Sequence, residues 1–408
     1  MSAPISIAVI GAGAAGLMAA GTAARLGADV TVYEHKNKPA RKLAITGKGR
    51  CNVTSAVPQD KFLENILRNP RFLYAALRAF SPEDTVAFFE ERGVPLKTER
   101  GNRVFPVSDK ADDIVRAMQD YSKDATMLCA HVRAVKAETD GTFTVIAADT
   151  RHFDRVILAT GGRSYPLTGS DGSGLSLARG LGHTVTPLFP SLVPLVSPDP
   201  VCADLMGLSL KNVGVRLVRG TKVLFEDFGE LLFTHFGVSG PTVLSASAAV
   251  AGENLSGTEL VIDLKPALDE ATLDARLLRD FAERQNRNFA NALDALLPSG
   301  LREVVAARSG IPPEKKIHEI QRQERHALLS VLKGFRLPIS GTRPIEEAII
   351  TRGGVQVKEI APGTMMSRLH PGLFFAGEMI DTDGYTGGFN LQIAWSTGYL
   401  AGKSAAEL

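Results

Sequence analysis

Residues 45–54, ITGKGRCNVT, hold two glycines, Lys48, Arg50 and Cys51, one of only three cysteines in the 408-residue chain. Two cations on a glycine-flexible loop suit a phosphate cradle, a thiol suits redox or acid chemistry, and a solvated turn would need none of these. A second constellation narrows the choice. Gly11, Gly13 and Gly16 stand in GAGAAG, and Glu34 follows 21 residues after Gly13. Gly11 permits a tight turn, Gly13 lets backbone approach a pyrophosphate, Gly16 lets a helix pack close on a sheet, and an acid at that distance accepts hydrogen bonds from a ribose diol.

Those residues need particular elements beneath them. ISIAVI, residues 5–10, reads as a doubly buried parallel strand, followed by an alanine-rich helix to about Leu26 and a second strand, DVTVYE, ending at Glu34. The helix start offers free N–H groups and a partial positive charge to phosphates. Glu34 suits a free 2′-hydroxyl, as in FAD or NAD, and repels a 2′-phosphate. FDRVILATGG, residues 153–162, is another buried strand running into Ala159, Thr160 and Gly161. GLFFAGEMIDTDGYTGGFNLQIAWSTGYLAG reads as a strand into Gly377 and Glu378, a glycine-rich loop, and a helix from about Asn390. An acid at that strand end suits a ribityl chain. Backbone N–H groups at that helix start suit the negative charge of a reduced flavin, so the pattern favours bound FAD over a diffusing nicotinamide.

The motifs GAGAAGLMAA, KLAITGKGRCNVT, ATGGRSYPLTGSDGSG, LLFTHFGVSGP, TRGGV and FFAGEMIDTDGYTGGFNLQIAWSTG resemble those of the HI0933-like flavoproteins, the YhiN or BaiN type, over essentially the whole chain. The resemblance implies an α/β protein with a discontinuous, Rossmann-like FAD domain of the glutathione-reductase type, interrupted by a β-rich domain and a helical one. The expected bounds are 1–190 and 351–408 for the FAD domain, 191–266 with a return strand at 336–350 for the β-rich domain, and 267–335 for the helical domain. With the motifs, it puts three groups of residues on the cofactor. The first is Gly11, Gly13, Ala14, Ala15, Gly16, Glu34 and His35. The second is Lys42, Thr46, Gly47, Lys48, Gly49, Arg50, Cys51 and Asn52, followed by Val132 near the adenine and by Ala159, Thr160 and Gly161. The third is Gly377, Glu378, Asp381, Gly387, Gly388, Phe389, Asn390 and Leu391. ITGKGRCNVT then reads as a cofactor loop, with Cys51 either a small packed residue or a proton donor.

Composition sets the outer bounds. The length calls for more than one domain. A hydrophobic content of 44% and 46 basic against 44 acidic residues describe an ordinary globular protein with no global charge signal. Three scattered cysteines argue against a disulfide framework and for the cytoplasm. The uncharged start lacks a basic n-region and is divided by glycines, so neither a signal peptide nor a membrane span is expected. No histidine or cysteine cluster has metal-ligand spacing.

In the middle of the chain, Ser81 and Pro82 predict a helix start, ERGNRVFPVSD a hairpin, and AHVRAVKAETDGTFTVIAAD two strands about Asp140-Gly141. GSDGSG, residues 169–174, reads as a structural turn. Short strands are expected from Leu208 to Leu264, with His235 facing the flavin pocket, and helices over 267–335. Between Leu301 and Arg343 nine basic residues face four glutamates, a net charge of +5 that suits either RNA phosphates or a solvated helix surface.

The expected activity is an FAD-dependent oxidoreductase that passes hydride from flavin N5 to a conjugated C=C bond, with NAD(P)H as donor. Cys51, His235 and Tyr385 are the candidate proton donors. The substrate class divides between a small molecule and a uridine of ribosomal RNA, as the resemblance implies. A non-catalytic flavin-binding sensor is the third reading.

Overall fold

The computed structural model describes residues 3–408, apart from the side chain of Gln59. The chain divides into two compact units: one runs to Ser191 and resumes at Pro344–Leu408, and the other is Leu192–Arg343.

In the first unit, five parallel strands form one sheet in the spatial order Leu373–Phe375, Arg155–Leu158, Ser6–Ile10, Asp29–Glu34, Thr126–Cys129. Ile7, Ala8, Val9 and Val156–Leu158 are wholly buried, as a doubly covered parallel sheet requires. The opening helix, Ala14–Arg25, and the C-terminal helix, Phe389–Glu407, pack on each other. A Cβ on Gly398 would stand 2.5 Å from the Ala15 carbonyl oxygen, and one on Gly402 2.3 Å from that of Ala19. The two backbones meet because those positions are glycine.

Two three-stranded antiparallel sheets and one antiparallel strand pair accompany the parallel sheet in the unit. Ala134–Ala137, Phe143–Ile146 and Thr150–Phe153 form one, while Leu96–Glu99 and Arg103–Pro106 pair as the hairpin read from the sequence and add Thr54–Ser55. Ser81 caps the helix Pro82–Glu91 in a reciprocal box with Asp84. GSDGSG proves to be a helix entry: Gly169 and Gly172 take left-handed backbone before the helix Ser173–Gly180.

Leu192–Arg343 holds a seven-stranded antiparallel sheet. Its main hairpin is longer than the short strands expected, at 11 residues for Ser209–Arg219 and 13 for Lys222–Thr234. The helices Glu270–Ala282, Ser299–Ser309 and Arg322–Lys333 fall within the 267–335 stretch expected to be helical. The sequence-based bounds divide this stretch more finely. Here sheet residues Leu260, Ile262 and Leu337 share one core with Leu277, Leu301 and Leu328 from the helices. The return strand Phe335–Ile339 closes that sheet, while Ile350–Arg352 pairs with Phe189–Ser191 in the first unit. Among the described residues no helix is long and apolar enough to cross a membrane.

Candidate functional site

The glycine cradle is built from backbone. Gly11 has φ +103°, and a Cβ there would stand 2.7 Å from the Ala159 carbonyl oxygen. On Gly16 it would stand 1.8 Å from that of Gly11. Gly13, the N-cap of the opening helix, lacks a capping side chain, and a Cβ there would meet nothing within 4 Å. No side chain thus covers the helix start at Gly13, the arrangement that suits a phosphate at a helix N-terminus. Glu34 bounds the cradle, accepting from the Ala12 N–H at 3.0 Å and the Lys36 N–H at 2.8 Å. His35 meets the His131 ring edge-on at 5.6 Å and lies 3.8 Å from Asp171. Gly169 comes so near His35 and Lys36 that a Cβ would touch both at 3.4 Å, so GSDGSG lies against the end of the strand that carries Glu34. Val132 is buried beyond the last sheet strand.

ITGKGRCNVT folds as a run of left-handed backbone. Thr46 is extended, Gly47 and Lys48 follow at φ near +60°, Gly49 has φ +83° and Cys51 +60°. Left-handed geometry is uncommon outside glycine, so Lys48 and Cys51 are held against local preference. Lys48 is exposed. Arg50, expected to serve the cofactor, spans Glu99 and Asp109 and lies over the Phe105 ring at 4.2 Å. It fastens the loop to the neighbouring hairpin. Cys51 is fully buried, and burial pushes its thiol up to about 12 despite a hydrogen bond with Thr46.

Beyond Cys51 the chain is stitched to the C-terminal helix. Trp395 Nε1 donates to the Val53 carbonyl at 3.0 Å, and Gln392 Oε1 accepts from Thr54 at 2.6 Å and Thr85 at 2.8 Å. Gln392 Nε2 donates to the Phe80 carbonyl and to Ser396.

The segment 377–391 is held mainly by side chains. Gly377 has φ +70° and donates its N–H to Thr397 Oγ1. Glu378 pairs with Lys42 at 2.7 Å and accepts from Ser164 Oγ at 3.0 Å and the Thr351 N–H at 2.8 Å. Asp381 pairs with Arg68 at 2.5 Å. Asp383, wholly buried, meets Arg352 at 3.1 Å and Ser191 Oγ at 2.9 Å, and burial still holds its carboxyl above the usual range. Asn390 clasps the loop, accepting from the Gly384 N–H and donating to its carbonyl, both at 2.9 Å. Phe389 packs edge-on against Phe62 at 5.0 Å, and Leu391 is half-buried beside the core. A Cβ on Gly388 would stand 2.2 Å from the Thr54 carbonyl oxygen, while Gly387 also takes left-handed φ. Ser164, Ser191, Thr351, Arg352 and Asp383 were missed because no short-range pattern marks a partner brought in by the fold.

These residues fit FAD. Asn52 Oδ1, Thr160 Oγ1, Ser170 Oγ, Thr382 Oγ1 and His35 Nε2 are all buried without a hydrogen-bond partner. Buried polar atoms are nearly always satisfied, and five orphans on segments expected along the cofactor call for a ligand rich in hydroxyls and phosphates. His235 belongs to the second unit. It sits exposed on the turn between Lys222–Thr234 and Gly237–Ser239, edge-on to Phe236 at 4.9 Å. The described residues contain no group that could hold a metal ion.

The family model described as the HI0933-like protein Rossmann domain matches residues 5–404. A 3-dehydro-bile acid delta(4,6)-reductase of Clostridium scindens is 33% identical over 408 residues, covering 98% of this chain and 99% of that protein. A ribosomal RNA dihydrouridine synthase of Escherichia coli is 31% identical, covering 97% and 96%. Among solved structures, a 3-ketosteroid delta1-dehydrogenase of Sterolibacterium denitrificans covers 99% of this chain and all of its own at 12% identity, with a TM-score of 0.53, so the fold is what they share. Matched from end to end in family model and relatives alike, the chain belongs to the HI0933-like family of FAD-dependent oxidoreductases.

Proposed function

We propose that this oxidoreductase reduces a conjugated C=C bond of a small molecule, with NAD(P)H as donor, in the reducing environment of the cytoplasm. FAD, when bound, supplies the hydride. The observation that carries the reading is the N-terminus of the 19-residue C-terminal helix, which opens at Gly388 with no side-chain cap. Its free N–H groups suit charge that builds on reduction.

In this reading Tyr385, half-buried on the glycine-rich loop, gives the proton that quenches the enolate. Cys51 packs: a buried thiol near 12 keeps its proton. Lys48, exposed on strained backbone, holds an anionic group of donor or substrate.

A small molecule is favoured over RNA by the ion pairs of Leu192–Arg343. Lys315 is paired with Glu324, Arg325 with Asp274, Lys333 with Asp263, Arg336 with Glu259 and Arg308 with Asp199. Five of the nine cations are thereby spent. The end-to-end similarity to an Escherichia coli ribosomal RNA dihydrouridine synthase keeps uracil reduction as the second reading.

The test is an anaerobic titration of the purified flavoprotein with NADH and then NADPH, followed by enones or by uridine-containing ribosomal RNA. We expect bleaching by one nucleotide and reoxidation by an enone, with Tyr385→Phe slowing that second step by about 10²-fold and sparing the first. Reoxidation by RNA alone would select the second reading, and no turnover with any acceptor would leave a sensor.

A further inference from the structure

Leu192–Arg343 contains a cleft of about 160 Å³ whose lining residues all belong to that unit. Its walls are Leu210, Val213, Leu264, Leu297 and Leu301, each less than a tenth exposed. One edge is the strand Ser209–Arg219, where the register slips between Leu210 and Val213 and carries Lys211 and Asn212 out of the ladder. The other polar boundary is Lys265.

The lysines nearby differ in how they are matched. Lys333 reaches Asp263 at 2.6 Å and also donates to the carbonyls of Lys265 and Leu268. Asp263 spends its other oxygen on the backbone N–H of Lys265. The next acid along the chain, Asp269, caps the helix Glu270–Ala282 and accepts from the Thr272 N–H at 2.7 Å. Lys265 is half-buried, and among the described residues no acid pairs with its ammonium. Burial, and secondarily the charge of Arg276, holds it below the usual lysine range. A desolvated cation among leucines, with its local acids committed, lacks a counter-ion that a ligand would supply.

We propose that this cleft binds a small organic carboxylate, its anion on Lys265 and its apolar body among the five wall residues. The volume sets the size: a cavity of about 150 Å³ lined by apolar side chains holds one benzene. Benzoate and 4-methylpentanoate match in size, charge and apolarity. Inorganic phosphate would leave the walls unfilled, and a nucleotide is too large.

The experiment is calorimetric titration of the full-length holoprotein with 4-methylpentanoate, 4-methylpentan-1-ol and inorganic phosphate. The carboxylate should bind at least about tenfold more tightly than the alcohol or phosphate, and Lys265→Met should cost it at least about tenfold while leaving the alcohol unchanged. Leu301→Phe, which fills the cleft and keeps the charge, should weaken carboxylate and alcohol together. Equal binding of alcohol and carboxylate, carboxylate binding unchanged in both variants, or no carboxylate binding at about 50 mM would each overturn the assignment. If Lys265→Met fails to fold, the wild-type comparison of carboxylate with alcohol and the Leu301→Phe titration decide it.

Discussion

The glycine cradle at residues 11–16 and the glycine-rich segment 377–391 were both expected along the cofactor, yet they are made differently. The cradle is formed by absences: the missing side chains of Gly11 and Gly16 let backbones touch, and Gly13 leaves space. The C-terminal segment is formed by pairs, with Glu378, Asp381 and Asp383 each tied to a cation from a distant segment. A site made by absences tolerates no added atom, whereas one made by pairs depends on its weakest buried partner.

The sharpest way to break that contrast is Gly16→Val. With a Cβ 1.8 Å from a carbonyl oxygen the backbone must move, and stability should fall by more than about 3 kcal/mol in chemical denaturation. Gly13→Ala adds its methyl to open space, so it should change stability by less than about 1 kcal/mol and instead weaken FAD retention, measured by flavin release on dilution. Equal destabilisation by the two would erase the distinction.

In the paired region, Arg352→Met should cost roughly 3 kcal/mol at neutral pH by stranding a buried carboxylate. Asp383 is already held above its ordinary range, so protonation favours the fold. Its contribution is present below the unfolded pKa and is lost as pH rises through the raised value, so the variant should regain stability as pH is lowered. Denaturation curves at several pH values would show it, and a pH-independent loss would remove the carboxylate as the cause.

Gln392→Leu tests the join between the two regions. It strands the buried Thr54 hydroxyl, while Thr85 keeps the Ser81 carbonyl and the Phe80 carbonyl keeps Ser396, for an expected loss of about 2 kcal/mol, with faster flavin release because Thr54 underlies the loop. The smallest effect belongs to His183, outside either region and wholly buried between Glu359 at 3.0 Å and Ser367 at 2.9 Å. Burial holds it below its ordinary value, with Glu359 pulling the other way. Its contribution is therefore full above the unfolded pKa of about 6.5 and lost as pH falls below it, which thermal melts of His183→Gln against wild type would resolve.

The same contrast explains what could be read from the sequence. The cradle, Glu34, the Ser81 cap and the 96–106 hairpin were legible because each is written within a few turns of chain, in glycine spacing, cap chemistry or alternation. The carboxylate partners were not, since Lys42 and Glu378 are separated by 336 residues and nothing local in either names the other. Arg50 hid its partners for the same reason. Its charge suits a phosphate, and only the fold shows Glu99 and Asp109 in front of it.

The two passages between the units, Phe189–Ser191 and Ile350–Arg352, run side by side as an antiparallel pair. Topologically, the intervening 192–343 is one long hairpin loop with its own hydrophobic core. Evolution can therefore exchange or remodel that loop without rethreading the parallel sheet. In folding, a core that condenses early brings Ser191 and Ile350 together, shortening the effective loop that must close before Leu373–Phe375 can dock beside Arg155–Leu158.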